Sequence, residues 1–346
     1  MTTTRRNRPP SRRAFSLIEL MIVILIIALI IAIVVPALGH ARKAARNSAT
    51  RTLMVQIEQA CSSFQISERR TPGFFSALEM GSVENADRGF TEMENVLLDL
   101  AGGVVPTDGA HPAVYGPVIS HLVAYDVNTV GTPGGATAGT GGTKAYFTPP
   151  AKYFKLQDGI EGGTKVTSVS YHTAWLKDLV DAEGTPILMW RADVMSVQPI
   201  LAEPDFAKVA SGTAQGPARY YWNSNAAFLK STQCGDKRID QTTKSLLGSG
   251  NTTGTPPANI MSMVGILGNP SSPNNVAAAN PLPTAGRGSF ILQAAGSNCT
   301  FVGKEERGGK TANNAGTRLD YGLNFRNTPS SDLMADFDDI LVAGGG

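Results

Sequence analysis

Few residues in this chain have the types and spacing that do chemistry. The four histidines, His40, His111, His121 and His172, are scattered. No His-Glu-x-x-His, Gly-x-Ser-x-Gly or phosphate-loop pattern accompanies them. His111 and His121 read as polar loop residues, and Tyr220-Tyr221-Trp222 reads as a strand or core cluster rather than a ligand-stacking platform. The three cysteines, Cys61, Cys234 and Cys299, form no Cys-x-x-Cys pair, which argues against structural zinc. One acid stands in an unusual setting. Glu19 is the single charge within Phe15–Leu38, FSLIELMIVILIIALIIAIVVPAL, where every residue from Leu20 to Val35 is apolar. An ionised carboxylate within a membrane costs about 2.5–3.5 kcal/mol on insertion scales, so such groups take partners. The chemistry open to Glu19 is pairing with a cation at membrane depth. A free amine made by cleavage just before Phe15, on a neighbouring copy, supplies one. The plainer alternative seats Glu19 near the headgroups, tolerated without a partner.

The element that must position Glu19 is a helix. The 24 residues of Phe15–Leu38 reach ~36 Å as an α-helix, enough for a hydrocarbon core of ~30 Å. The segment is apolar all round, unlike a surface helix of a soluble domain. Residues 1–14, MTTTRRNRPPSRRA, carry five arginines and no acid. A basic leader before an apolar run reads as a targeting sequence that stays on the cytoplasmic side. Arg42, Lys43, Arg46 and Arg51 on the far side blunt that signal. Past Pro36 and Gly39 the helical period resumes. Ala41, Ala45, Ala49, Leu53, Ile57, Cys61 and Phe64 recur near helical spacing, which predicts an amphipathic stem over 39–71. Pro36 is expected to bend the rod, and Pro72-Gly73 to end it.

These residues carry a resemblance. Arg12-Arg13-Ala14 followed by Phe15-Ser16-Leu17-Ile18-Glu19-Leu20 resembles the cleavage and methylation motif of type IV pilins and type II secretion pseudopilins. The resemblance implies a cut between Ala14 and Phe15 by a prepilin peptidase and methylation of the new Phe15 amine. It makes Glu19 the carboxylate that meets a neighbour's terminus during assembly, and Pro36 the helix-kinking proline. Ala14 stands where the family usually has Gly. The partners implied are other copies, other pseudopilins, an inner-membrane assembly platform, membrane lipid and a separate cytoplasmic ATPase.

Downstream, Thr91-Glu92-Met93-Glu94 fits a capping box, predicting a short helix to Leu100 that stops at Gly102-Gly103. From Val104 short apolar runs alternate with Gly, Pro, Asn and Thr. Val118–Tyr125, Lys165–Tyr171, Pro186–Trp190 and Ser289–Gln293 read as strands. Residues 130–143, 248–257 and 268–288 read as loop insertions too poor in apolar groups to offset their ordering entropy. Asp181-Ala182-Glu183-Gly184-Thr185-Pro186-Ile187 is similar to a turn that leads into a strand in G-type pseudopilins, without its Trp. Ala295-Gly296-Ser297-Asn298-Cys299 with Phe337-Asp338-Asp339-Ile340 resembles their calcium-binding closing loop. Calcium takes six to eight oxygens. Asp332, Asp336, Asp338 and Asp339 supply acids, while Asn298 and Cys299 replace the family's Asp-Gly. Asp339 and Asp338, with Asn298, are the candidate ligands; a solvated acidic loop is the equal alternative. Cys234–Cys299 reads equally as a disulfide of an exported domain or as two thiols.

Removing residues 1–14 lowers 30 basic residues to 25 against 28 acidic, so the formal charge moves from +2 to −3. No basic run follows Arg51, and no nucleic-acid partner is expected. The expected class is α+β: a transmembrane helix (15–38) and amphipathic stem (39–71), packed on an antiparallel sheet domain (72–346) with Gly/Pro/Asn-rich loop insertions. The resemblance implies a non-enzymatic pseudopilin subunit of a type II secretion system, anchored in the bacterial inner membrane with a periplasmic domain. Two alternatives remain: a type IV pilin-like subunit for adhesion or DNA uptake, and an uncleaved single-pass anchor for a periplasmic binding or enzymatic domain.

Overall fold

The computed structural model describes residues 17–82, 84–85, 90–102, 104–105, 113–117, 122–125, 145–148, 150–156, 177–193, 205–208, 218–229, 245, 247–248, 288–302 and 338–345. The chain divides into two compact units, residues 1–45 and 46–346. Helix α1 (Leu17–Glu68, 52 residues) contributes to both and is continuous through Pro36. The predicted loop insertions and the Lys165–Tyr171 strand fall almost wholly outside the described residues.

In the first unit every described residue is exposed. In the second, α1 buries one face through Thr50, Leu53, Met54, Ile57, Ala60, Cys61 and Phe64. The predicted stripe holds from Leu53 onward, while Ala41 and Ala45 are exposed. The helix ends at Glu68, earlier than Pro72-Gly73, because Arg69 turns left-handed (φ 58°). Among the short helices that follow are α2 (Ala77–Met80) and α3 (Glu92–Leu100), each opened by a full capping box. At α3 the Thr91 hydroxyl accepts from Glu94 N–H (3.2 Å) and the Glu94 carboxylate accepts from Thr91 N–H (2.9 Å).

The strands all pair antiparallel. Short β1 (Val104–Val105), β2 (Ala113–Tyr115) and β3 (Leu122–Tyr125) form one sheet in the order β1-β3-β2. Two ribbons pair β4 (Phe154–Leu156) with β5 (Lys177–Leu179), and β7 (Asp205–Lys208) with β8 (Ala218–Tyr221). The central sheet joins β6 (Leu188–Arg191), β9 (Phe290–Ala294) and β10 (Ile340–Gly344) in the order β10-β9-β6. Met189 pairs with Leu292, which pairs with Val342 on the other side.

β6 and β9 are buried at every position because both faces of the sheet are covered. Met189, Phe290, Leu292 and Ile340 share a cluster with the buried face of α1 and with Met93, Val96, Leu97 and Leu100 of α3. Leu188, Trp190 and Ile291 face a second cluster built from Tyr220, Trp222, Phe228, Leu247 and Phe301. Each such large side chain, fully buried, contributes about 1.5–3 kcal/mol.

The crossover from α1 to α2 is held by charge. Arg70 grips Asp99 with both nitrogens (2.6 and 2.8 Å), and Gly73 N–H donates to the same carboxylate (2.7 Å). Asn95 takes Phe75 N–H on its oxygen (2.7 Å) and returns a bond to the Phe75 carbonyl (3.1 Å). From the sheet, Arg191 pairs with Glu92 (2.8 Å) and donates to the carbonyls of Pro72 and Phe75. Gly73 has φ +135°, and a Cβ there would meet the Arg191 guanidinium at 2.1 Å, so no other residue fits. Burial pushes the Glu92 carboxyl upward, against the pull of Arg191. Arg191→Met leaves that carboxylate unpaired and is expected to cost about 3–5 kcal/mol, whereas Arg191→Met with Glu92→Met recovers most of the loss. Thermal unfolding of the two variants against the parent chain measures both.

Candidate assembly site and the closing acidic turn

Glu19 lies in the first turn of α1, where the positive end of the helix dipole favours an acid. After it come apolar side chains without a cover: Leu20, Ile24, Ile27, Ile31, Val35 and Leu38 are all about half exposed or more. α1 is the one described helix long and apolar enough to cross a membrane. Pro36 lacks an N–H, so the Ala32 carbonyl loses its helical donor. Ala14 and Phe15, the predicted cleavage pair, lie outside the described residues.

The turn at 181–185 closes on its own acid. Asp181 Oδ1 accepts from Glu183 N–H (2.9 Å) and Thr185 N–H (2.8 Å), and Asp181 N–H donates to the Thr185 carbonyl (2.8 Å). Gly184 supplies the left-handed step (φ 83°). The closed turn seats on α1: Ala182 N–H donates to Thr50 Oγ1 (3.1 Å), and Arg46 reaches Glu183 (2.6 Å). It then feeds Pro186 into a bridge with Val180 and the chain into β6. Missing its Trp, the motif still builds a turn that docks the sheet onto the stem.

The closing residues are brought together, with unequal roles. Asp338 Oδ2 accepts from Ser297 Oγ–H (2.9 Å) and Asn298 N–H (3.0 Å), while its Oδ1 is buried with no hydrogen-bond partner. Asn298 Oδ1 caps Thr300 N–H (2.7 Å). Gly296 takes φ +65° against the Asp338 carbonyl, where a Cβ would sit 2.2 Å away. Asp339 faces inward. Trp190 Nε1–H donates to Gln293 Oε1 (2.9 Å), and Gln293 Nε2–H donates to Asp339 Oδ2 (2.6 Å). Val302 N–H donates to both Asp339 oxygens (3.2 and 3.3 Å).

Of the candidate calcium ligands, Asp338 keeps a buried oxygen open, while both oxygens of Asp339 already accept hydrogen bonds from Gln293 and Val302. No group of three or more His, Cys, Asp or Glu able to hold a metal is found among the described residues. Asp332, Asp336 and Cys234 lie outside them, so the wider acidic set and the Cys234–Cys299 pair do too. Cys61 is fully buried on the stem, and burial with the charge of Glu58 pushes its thiol up to about 12, an inert core residue. The Trp190–Gln293–Asp339 chain was not legible in the sequence: Gln293 reads as one polar residue in a strand, and its partners lie 103 and 46 residues away.

Residues 9–35 match the family described as the prokaryotic N-terminal methylation motif, which is characteristic of type IV pilins and pseudopilins. No curated protein and no solved structure gives a significant match to the chain.

Burial pushes Asp339 up to about 8 and Asp181 up to about 6. A carboxyl whose folded value is raised holds its proton more tightly when folded. Its contribution is therefore full below the unfolded value of ~3.9 and is lost as pH rises through the folded one. Stability is expected to fall as pH rises from about 4 to about 8, by up to ~1.4 kcal/mol per pH unit for each group still protonated, and to level off above. Asp339→Asn flattens the part of this profile above about pH 6. Thermal midpoints across that range, for parent and variant, test the sign.

Proposed function

We propose that this chain is a structural filament subunit of the pseudopilin type, serving type II secretion, and that it performs no catalysis itself. Prepilin peptidase cuts between Ala14 and Phe15, the Phe15 amine is methylated, and α1 holds the subunit in the inner membrane until it joins a periplasmic fibre. The carrying observation is the methylation motif over residues 9–35 continuing into a helix half whose described residues are all exposed. In the fibre that apolar surface is buried against the same surface of other copies. Glu19 then meets a neighbour's Phe15 amine. Pairing offsets the ~2.5–3.5 kcal/mol that a lone carboxylate costs in hydrocarbon, and it fixes the axial step between copies. The self-closed turn at Asp181–Thr185, seated on α1, favours the G-type relationship. If the domain carries calcium, Asp338 holds it through the oxygen left open.

The test combines intact mass and assembly. Chain recovered from native membranes is expected to begin at Phe15 and to carry one added methyl group. Glu19→Ala is expected to be processed normally, to stay in the membrane, and to lose fibre incorporation by at least tenfold in crosslinking and shear assays. Recovery of a chain that keeps its arginine-rich leader, together with normal behaviour of Glu19→Ala, favours the uncleaved anchor and ends the filament reading.

A further inference from the structure

A second charged feature of α1 goes unused by the assembly chemistry. From Leu20 to Ile57 the helix holds no acid, and its basic residues are Arg42, Lys43, Arg46 and Arg51. Arg46 has a protein partner in Glu183. Arg42 and Lys43 are exposed and make no ion pair among the described residues. The helix neighbours three and four positions away are Leu38, Gly39, His40, Ala45, Arg46 and Asn47, and none carries a carboxylate. Their counter-charge therefore comes from outside this helix.

The spacing names the layer that supplies it. Arg42 lies four residues past Leu38, the last apolar residue of the run, so it stands ~6 Å along the axis beyond the hydrocarbon. The interfacial layer of a bilayer is ~5–8 Å thick on each side. Glu19 and Arg42 are 23 residues apart, or ~34 Å, against a hydrocarbon core of ~30 Å. With Arg42 in one interface, Glu19 falls near the opposite edge of the hydrocarbon, the depth at which the proposed pairing operates. Arginine grips phosphate with two parallel N–H groups, and both side chains have apolar stems that let the charge reach headgroups while the helix stays inserted.

We propose that Arg42 and Lys43 form a headgroup anchor that binds anionic phospholipids around the unassembled subunit. The proposal rests on the membrane-anchored reading above. The anchor holds the inserted helix at one depth, and its phosphate contacts must be given up when the subunit leaves the bilayer for a fibre.

The test uses the whole chain at one copy per nanodisc, so that no second copy provides acid. The lipid is a mixture of phosphatidylglycerol and phosphatidylcholine, and spin-labelled lipids report which headgroup the protein retains. The parent chain is expected to prefer phosphatidylglycerol several-fold, by up to about fivefold per cation. Arg42→Gln with Lys43→Gln is expected to bring the preference close to that of a neutral helix, and inorganic phosphate in the buffer is expected not to compete. Both forms keep the same N-terminus, so the difference isolates these two residues, and circular dichroism checks that the helix is intact. Equal preference in parent and double variant, with both resisting alkaline extraction, overturns the anchor and leaves the membrane reading standing. So does a preference that inorganic phosphate abolishes, or one that appears only with two copies per disc. Extraction of the parent chain by alkali overturns the membrane reading and the anchor with it.

Discussion

One helix faces two solvents, and the rest follows from that. Up to Ala45 every described side chain of α1 is exposed, and from Thr50 one face becomes part of a protein core. An apolar helix surface left in water costs roughly 25 cal/mol for each Å² exposed. Nineteen consecutive positions from Leu20 to Leu38 with no charge make that state costly, which suits a membrane anchor. The second half obeys ordinary globular rules. Its buried positions Leu53, Ile57, Cys61 and Phe64 step by three or four, Met54 and Ala60 widen the same face, and the other residues between them stay wet or half-buried.

The second unit is built to hold that stem rigidly. The sheet and α3 meet it in one cluster, and the polar turn at Asp181 clamps it from the side through Thr50 and Arg46. The charged crossover explains why α1 stops where it does. Arg70 is spent on Asp99, and Arg191 fills the space that Gly73 leaves open. Buried ion pairs add little net stability over apolar substitutes, but they penalise any arrangement that separates the partners. Here the partners come from a loop, a helix and a strand, so the pairing fixes how the three meet.

Legibility followed the range of the interaction. The methylation motif, the capping box at Thr91 and Glu94, the stem face from Leu53, and strands β6 and β9 were readable because each is local: a spacing of three or four, a period, or an apolar run between turn residues. The stop at Glu68 was misjudged. Pro72-Gly73 is the stronger local signal, yet the helix yields earlier so that Arg70 can reach Asp99. Nothing in the neighbourhoods of Glu92 and Arg191 announces a partner 99 positions away. Asp338 and Asp339 looked alike in sequence. Alternation along the entry to β10 turns the second toward Gln293 and leaves the first at the rim with Ser297 and Asn298.

Burial of both sheet faces has a consequence for assembly. A half-covered sheet can present its open face to a partner, but β6 and β9 have none to present. Among the described residues, 17 of the 21 large apolar side chains that remain exposed lie between Leu17 and Leu38. Among the described residues, the apolar surface open to association is therefore concentrated in α1. Apolar attraction is non-directional and does not fix an axial register by itself. On the proposed function, Glu19 meeting a neighbour's Phe15 amine would supply that missing direction. Without it, the same rod could slide past its neighbours at little cost.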